Sequence, residues 1–158
     1  MPILKLVTEI RAPIERVFDL SRSIDMHQAS MTGSGESAVA GVTTGLLGLG
    51  ESVTWRARHF GVWQRLTSQI TELDRPRHFR DELVRGIFTR FAHDHDFAAF
   101  AGGTRMTDTF DYTSPLGVLG RLADAIVVER YMRALLEERN RVIREVAESL
   151  RWREFLPA

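Results

Sequence analysis

Residues 90–97 read RFAHDHDF, which sets His93 and His95 one residue apart with an aspartate after each. Three kinds of chemistry suit that spacing. Two imidazoles on one face of a strand offer two metal ligands, but a zinc site needs at least one more protein ligand at ~2 Å and outer partners that fix the imidazole tautomers. A neutral imidazole oriented by a carboxylate is a general base near neutral pH. Sparse polar groups among apolar ones also set the pose of a ligand in a pocket. Asp108, His59 and Asp81 are the groups that could complete any of these, with His93, His95 and Asp108 the candidates for a catalytic role. Nothing in the sequence supplies a third metal ligand for certain, so no metal and no cofactor is expected, and hydrogen bonding to Asp108 or Asp81 is the simpler way to keep two buried imidazoles.

Other motifs are weaker. GLLGLG lacks the GxGxxG order, precedes no helix and has no Gly-Lys-Ser/Thr, so it reads as a flexible lid or turn instead of a phosphate cradle. Ser30, Ser34 and Ser52 sit in no nucleophile elbow, which leaves hydrolase chemistry without support. His27 falls on an apolar helical segment and reads as a structural histidine within reach of a cavity.

The elements that must position these groups follow from periodicity. Ile3 to Ile10 alternates as a strand, and Ala12-Pro13 opens a helix with Ile14, Val17, Phe18 and Leu20 on one face. A break at Ser21 to Ser23 predicts two short helices, the second carrying Met26 and His27. Glu36 to Ala40 reads as a short strand, followed by the apolar loop VTTGLLGLG. From Glu51 to Tyr112, turn signals at Gly61, Arg75-Pro76-Arg77, Gly86 and Gly102-Gly103 punctuate five strands in an antiparallel meander. After Pro115 a stripe of Leu119, Leu122, Ile126, Tyr131, Leu135, Val142, Val146 and Leu150 predicts one long amphipathic helix, with Glu137/Arg141, Arg141/Glu145 and Arg144/Glu148 pairs on its wet side.

The chain has 158 residues, a length that favours one domain spanning 1–158. Twenty-one basic residues balance 21 acidic ones, so no overall field draws it to nucleic acid or to an anionic membrane. Twenty of the basic residues are arginine, and Arg56 and Arg58 have the strand parity of a solvated face. The absence of cysteine removes disulfides, thiolate nucleophiles and cysteine-based metal sites. With no signal-peptide pattern and no run near the ~20 apolar residues of a membrane span, a soluble cytoplasmic protein is expected. Oligomeric state is not legible.

The order of strand, two short helices, six strands and one long helix resembles the helix-grip fold of the START, birch-pollen-allergen and polyketide cyclase (SRPBCC) superfamily, in its polyketide cyclase/dehydrase-like branch. The stretches that carry the resemblance are APIERVFDLSRSIDMHQASM, GLGESVTWRARHFGVWQRLTSQI, PRHFRDELVRGIFTRFAHDHDF and GGTRMTDTFDYTSPLGVLG. It implies an α+β fold in which a curved antiparallel sheet of about seven strands is covered on its concave face by the last helix. It also implies carriage or sensing of a hydrophobic or amphipathic small molecule, such as a lipid or polyketide-like compound, with cyclase or dehydratase chemistry in a minority of members.

Strand parity then selects the residues that would meet such a ligand. Aromatic residues mark the inner face of RFAHDHDF as Phe91, His93, His95 and Phe97, and that of MTDTFDY as Met106, Asp108, Phe110 and Tyr112. The same reasoning turns Val53, Trp55, Ala57 and His59 inward on one strand and Phe79, Asp81 and Leu83 on another. The expected cavity wall is Trp55, His59, Phe79, Asp81, Phe91, His93, His95, Phe97, Met106, Asp108 and Phe110, with its opening beside Val42 to Gly50. Burying that many ionisable groups requires that they pair, line a pocket, or act on a ligand.

Overall fold

The computed structural model describes residues 2–114 and 124–158. Strand β1 (Ile3–Ile10) leads into helices α1 (Ile14–Ser21) and α2 (Ile24–Ser30), a 3-10 turn (Thr32–Ser34), and strands β2 (Ser37–Gly41), β3 (Ser52–His59), β4 (Val62–Asp74), β5 (His78–Arg85), β6 (Arg90–Phe100) and β7 (Gly103–Thr113). A π-helical turn (Asp124–Val128) precedes helix α3 (Glu129–Ala147), and a 3-10 turn (Leu150–Glu154) follows it. The seven strands form one antiparallel sheet in the order β1-β7-β6-β5-β4-β3-β2. This is the α+β helix-grip arrangement expected from the element order.

Local chemistry sets the boundaries. Pro13 opens α1 with its fixed φ, and the Ser23 side chain caps α2 by accepting from the Met26 N–H at 3.2 Å. The β3–β4 turn holds Phe60 and Gly61 at φ 50° and 75°, the pair of positive values that a tight two-residue hairpin requires. Gly103 allows the β6–β7 turn to meet the end of β1, because a Cβ there would lie 2.1 Å from the Ile10 carbonyl oxygen.

The core has two parts. One gathers Val17, Phe18 and Leu20 of α1, Ile143 and Val146 of α3, and Val53, Ile70, Phe79 and Phe97 of the sheet. The other gathers Leu4, Phe91, Phe110, Tyr112 and Leu136.

Helix α3 departs from the expected stripe. Leu119 and Leu122 lie outside the described residues, Ile126 is exposed, and Leu150 sits exposed in the terminal 3-10 turn. The inward face is Leu136, Arg139, Asn140, Ile143, Val146 and Ala147, while Leu135 and Val142 are half-buried flanks. On the wet side Arg141 joins Glu138 and Glu145, and Glu148 is taken by Arg11.

Candidate functional site

Between the sheet and α3 lies a cavity of about 510 Å³. Its walls are mainly apolar, including Val53, Trp55, Ala57, Leu66, Ile70 and Phe79 from the sheet and Tyr131, Met132, Leu135 and Leu136 from α3. That volume lies within the usual range for small-molecule pockets.

Its polar floor is built on β5, β6, β7 and α3. Register sets His95 opposite Asp108 and Phe79, and His93 opposite Asp81. Parity turns all four polar side chains to the concave side. The carboxylate of Asp108, fully buried, lies with Oδ1 3.0 Å from His93 Nε2 and 2.9 Å from His95 Nδ1. The first contact is aligned as a hydrogen bond, whereas the second is an ion-pair approach bent out of line, so His95 Nδ1 has no aligned acceptor. Asn140 Nδ2 donates to Asp108 Oδ2 at 2.7 Å, and Arg139 brings Nη1 to 3.5 Å from Oδ1. Asp81 Oδ2 is 3.1 Å from His95 Nε2. The rings of His93 and His95 lie 3.8 Å apart, and His95 stacks on Phe79 at 4.1 Å.

These contacts separate the two histidines electrically. Burial opposes charge on both. In His93 burial, reinforced by the neighbouring His95 charge, outweighs Asp108 and lowers the pKa, so the ring is neutral near pH 7. In His95 burial is outweighed by Asp108 and Asp81, and the pKa is raised. Burial alone would raise both aspartates. The histidines and Arg139 reverse that, holding Asp81 below and Asp108 well below the usual carboxylate range.

Two further polar groups interrupt the walls. His27 Nε2 lies 3.1 Å from Glu36 Oε1, and its ring covers Trp55 at 4.3 Å. Burial would raise the Glu36 carboxyl, but the charge of His27 and its hydrogen bond lower it. His59 Nδ1 meets the Tyr131 hydroxyl at 2.7 Å, tying the β3–β4 hairpin to α3. Burial lowers the His59 pKa and raises that of Tyr131.

Of the residues expected on the wall, Trp55, His59, Phe79, Asp81, Phe91, His93, His95 and Phe110 line the cavity. Phe97, Met106 and Asp108 do not. Phe97 packs edge-on against Phe18 at 5.2 Å, and the Met106 sulfur accepts from the Ser21 hydroxyl, because α1 covers that end of the sheet. Asp108 stands behind the histidines, screened by Arg139 and Asn140. Glu36, Arg139 and Ser68 line the cavity without having stood out in the sequence. Glu36 lies just before β2 and pairs with His27 of α2, a contact between elements that local spacing does not announce.

The apolar loop Val42 to Gly50, beside which the opening is expected, is held against the helices. The loop is fastened to α2 and to the end of α1: Ile24 N–H donates to Gly45 O, Leu47 N–H to Arg22 O, and Gly45 N–H to Asp25 Oδ2. Leu47 is thereby buried against the cavity. Among the described residues, Phe60, Arg65 and Ile87 line the cavity and are exposed, in or beside the β3–β4 and β5–β6 turns. Ser30 and Ser34 donate to the carbonyls of His27 and Met31, as turn-stabilising hydroxyls do.

Asp81, His93 and His95 can each bring one ligand atom within 4.8 Å of the others, the only such trio among the described residues. Without an ion, Asp81 and His95 are hydrogen-bonded to one another and His93 to Asp108.

Comparison with known proteins places this architecture. The family described as polyketide cyclase/dehydrase and lipid transport matches residues 1–148. Among solved structures, the Thermus thermophilus protein TTHA0849 is 22% identical with a TM-score of 0.74, over 91% of this chain and 95% of its own. Ginseng major latex-like protein 151 from Panax ginseng is 15% identical with a TM-score of 0.68, over 94% and 98%. A START superfamily protein from Mycobacterium smegmatis is 13% identical with a TM-score of 0.68, over 94% and 98%. These likenesses concern the fold. A search of curated protein sequences finds no match. No described helix is long and apolar enough to cross a membrane.

Proposed function

Because the chain belongs to the polyketide cyclase/dehydrase and lipid-transport family, we propose that it carries or senses a hydrophobic or amphipathic small molecule held in the cavity under α3. The observation that supports this reading is the cavity itself: about 510 Å³ of largely apolar wall ending in a floor of oriented polar groups. Apolar walls provide most of the binding free energy, at roughly 25 cal/mol per Å² of surface removed from water, and the floor orients the ligand. The ligand would enter by the Phe60 and Ile87 end and place its polar group near His93 and Asp81. On this reading the protein works as a soluble cytoplasmic carrier or sensor, with no nucleic-acid partner. Extraction of the purified protein with organic solvent, followed by mass spectrometry, tests it. A stoichiometric lipid-like molecule is the expected result, and extracts that are empty after expression in several hosts would count against it.

A second reading has one specific support. Asp108 holds His93 Nε2, and the ring is neutral near pH 7, so Nε2–H donates to the carboxylate and Nδ1 keeps its lone pair without a protein partner among the described residues. A base so oriented removes a proton next to a substrate carbonyl, as a cyclase or dehydratase requires. If the protein is such an enzyme, His93→Gln would change the extracted molecule from product to unreacted substrate.

A further inference from the structure

The charges around the cavity specify more than its apolarity. Two carboxylates line it directly, and each has one oxygen engaged and one without a protein partner among the described residues. Asp81 gives Oδ2 to His95, and Glu36 gives Oε1 to His27. Their side chains remain 20% and 11% accessible while lining the cavity, so the remaining oxygens are available to a ligand.

The cations of the wall are committed elsewhere. Arg139 donates Nη1 to Asn140 Oδ1 and Nη2 to Ser21 O, with Asp108 as its own counter-ion. Arg22 is held by Asp19 and the Leu47 carbonyl. His95 lies between two carboxylates. Arg65 also borders the cavity, but it is exposed, near the β3–β4 turn. A ligand reaching the floor therefore meets acceptors, the remaining oxygen of Asp81 and, once Asp108 fixes the proton on Nε2, the Nδ1 lone pair of His93, while the remaining oxygen of Glu36 faces it from the wall.

Resting on the reading of the cavity as a ligand site, we propose that its ligand presents a hydrogen-bond donor, a hydroxyl or an ammonium group, to the acceptors of the cavity, Asp81 and His93 on the floor or Glu36 on the wall, and that carboxylates such as fatty acids are excluded. A carboxylate head would bring a further negative charge into a space lined by two carboxylates and no free cation at its floor, where low dielectric makes like charges repel strongly. A hydroxyl donates to one of these acceptors without adding charge, and an ammonium donates to more than one with charge-assisted bonds.

Displacement of the neutral dye N-phenyl-1-naphthylamine from the intact protein at pH 7.5 tests this with decan-1-ol, decylamine and decanoate, which share one tail length. The alcohol, the amine or both should displace the dye at concentrations at least tenfold lower than decanoate, and Glu36→Gln and Asp81→Asn should each narrow that gap. An amine stronger than the alcohol would identify the donor as charged, and the reverse as neutral. Decanoate displacing as well as the alcohol and the amine would overturn the proposal and leave the cavity reading intact. Failure of the dye and all three competitors to bind would overturn the cavity reading and this proposal together.

Discussion

Asp108→Asn probes the polar floor most sharply. The change keeps the shape of the side chain and removes a charge that has no solvent exposure. Arg139 would be left buried beside a neutral amide, and His93 and His95 would lose the carboxylate that both approach. Breaking a buried ion pair from one side costs roughly 3–5 kcal/mol, which at about 1.36 kcal/mol per factor of ten is a roughly 150- to 5,000-fold rise in the unfolded fraction. The loss should appear as a lower urea midpoint at unchanged slope. NMR titration should find His95 with a lower pKa than in the wild type, because the carboxylates of Asp108 and Asp81 are what raise it against burial. The sign of the pH dependence is fixed. Asp108 has a depressed pKa when folded, so its contribution is present above the ordinary carboxylate pKa and is lost only as acid reaches the much lower folded value. The gap between wild type and variant should therefore be present near neutral pH, widen as pH falls through the His95 titration, where the wild type holds a proton that the variant holds less readily, and close only in strong acid. Adding Arg139→Met to the variant removes the orphaned cation and should recover part of the loss. A gap under about 1 kcal/mol, together with an unmoved His95 titration, would refute the ion cluster.

Leu136→Ala, on the buried face of α3, should destabilise by about 2–5 kcal/mol, whereas Ile126→Ala on an exposed site should fall within about 0.5 kcal/mol, both read by urea denaturation. Ser23→Ala removes the cap of α2 and should lower stability by about 1 kcal/mol in the same assay. Tyr131→Phe should lower stability by about 0.5–1.5 kcal/mol and speed dye release in stopped-flow fluorescence, since it unfastens the β3–β4 hairpin from α3.

The strands were legible because their alternation is strong. Phe91, His93, His95 and Phe97 share a face with aromatic markers, and one register of β6 against β7 satisfies it. Parity names a face but not a depth along it, and for that reason it sets Phe97 and Met106 at the wall although α1 covers them. Helix α3 was harder. The doublets Leu135-Leu136 and Val142-Ile143 fit either of two adjacent stripes, and the stripe that faces the sheet carries Arg139 and Asn140. Apolar periodicity counts those two as solvent-facing, and only the buried charge of Asp108, contributed by β7, explains their place inside. The apolar loop after β2 reads as a flexible lid in the sequence because its backbone partners on α2 are not local. Glu36 gave no periodic signal, since its partner His27 belongs to a different element.

If the space beneath α3 is a binding cavity, filling it abolishes binding. Ala57, buried on β3, lines that space, so Ala57→Trp projects an indole into it from a rigid strand. Titration of wild type and Ala57→Trp with N-phenyl-1-naphthylamine, with folding of both followed by circular dichroism, should give saturable one-to-one binding to the wild type. Affinity should be at least tenfold weaker in a folded variant. Equal affinity in the two folded proteins would contradict the claim.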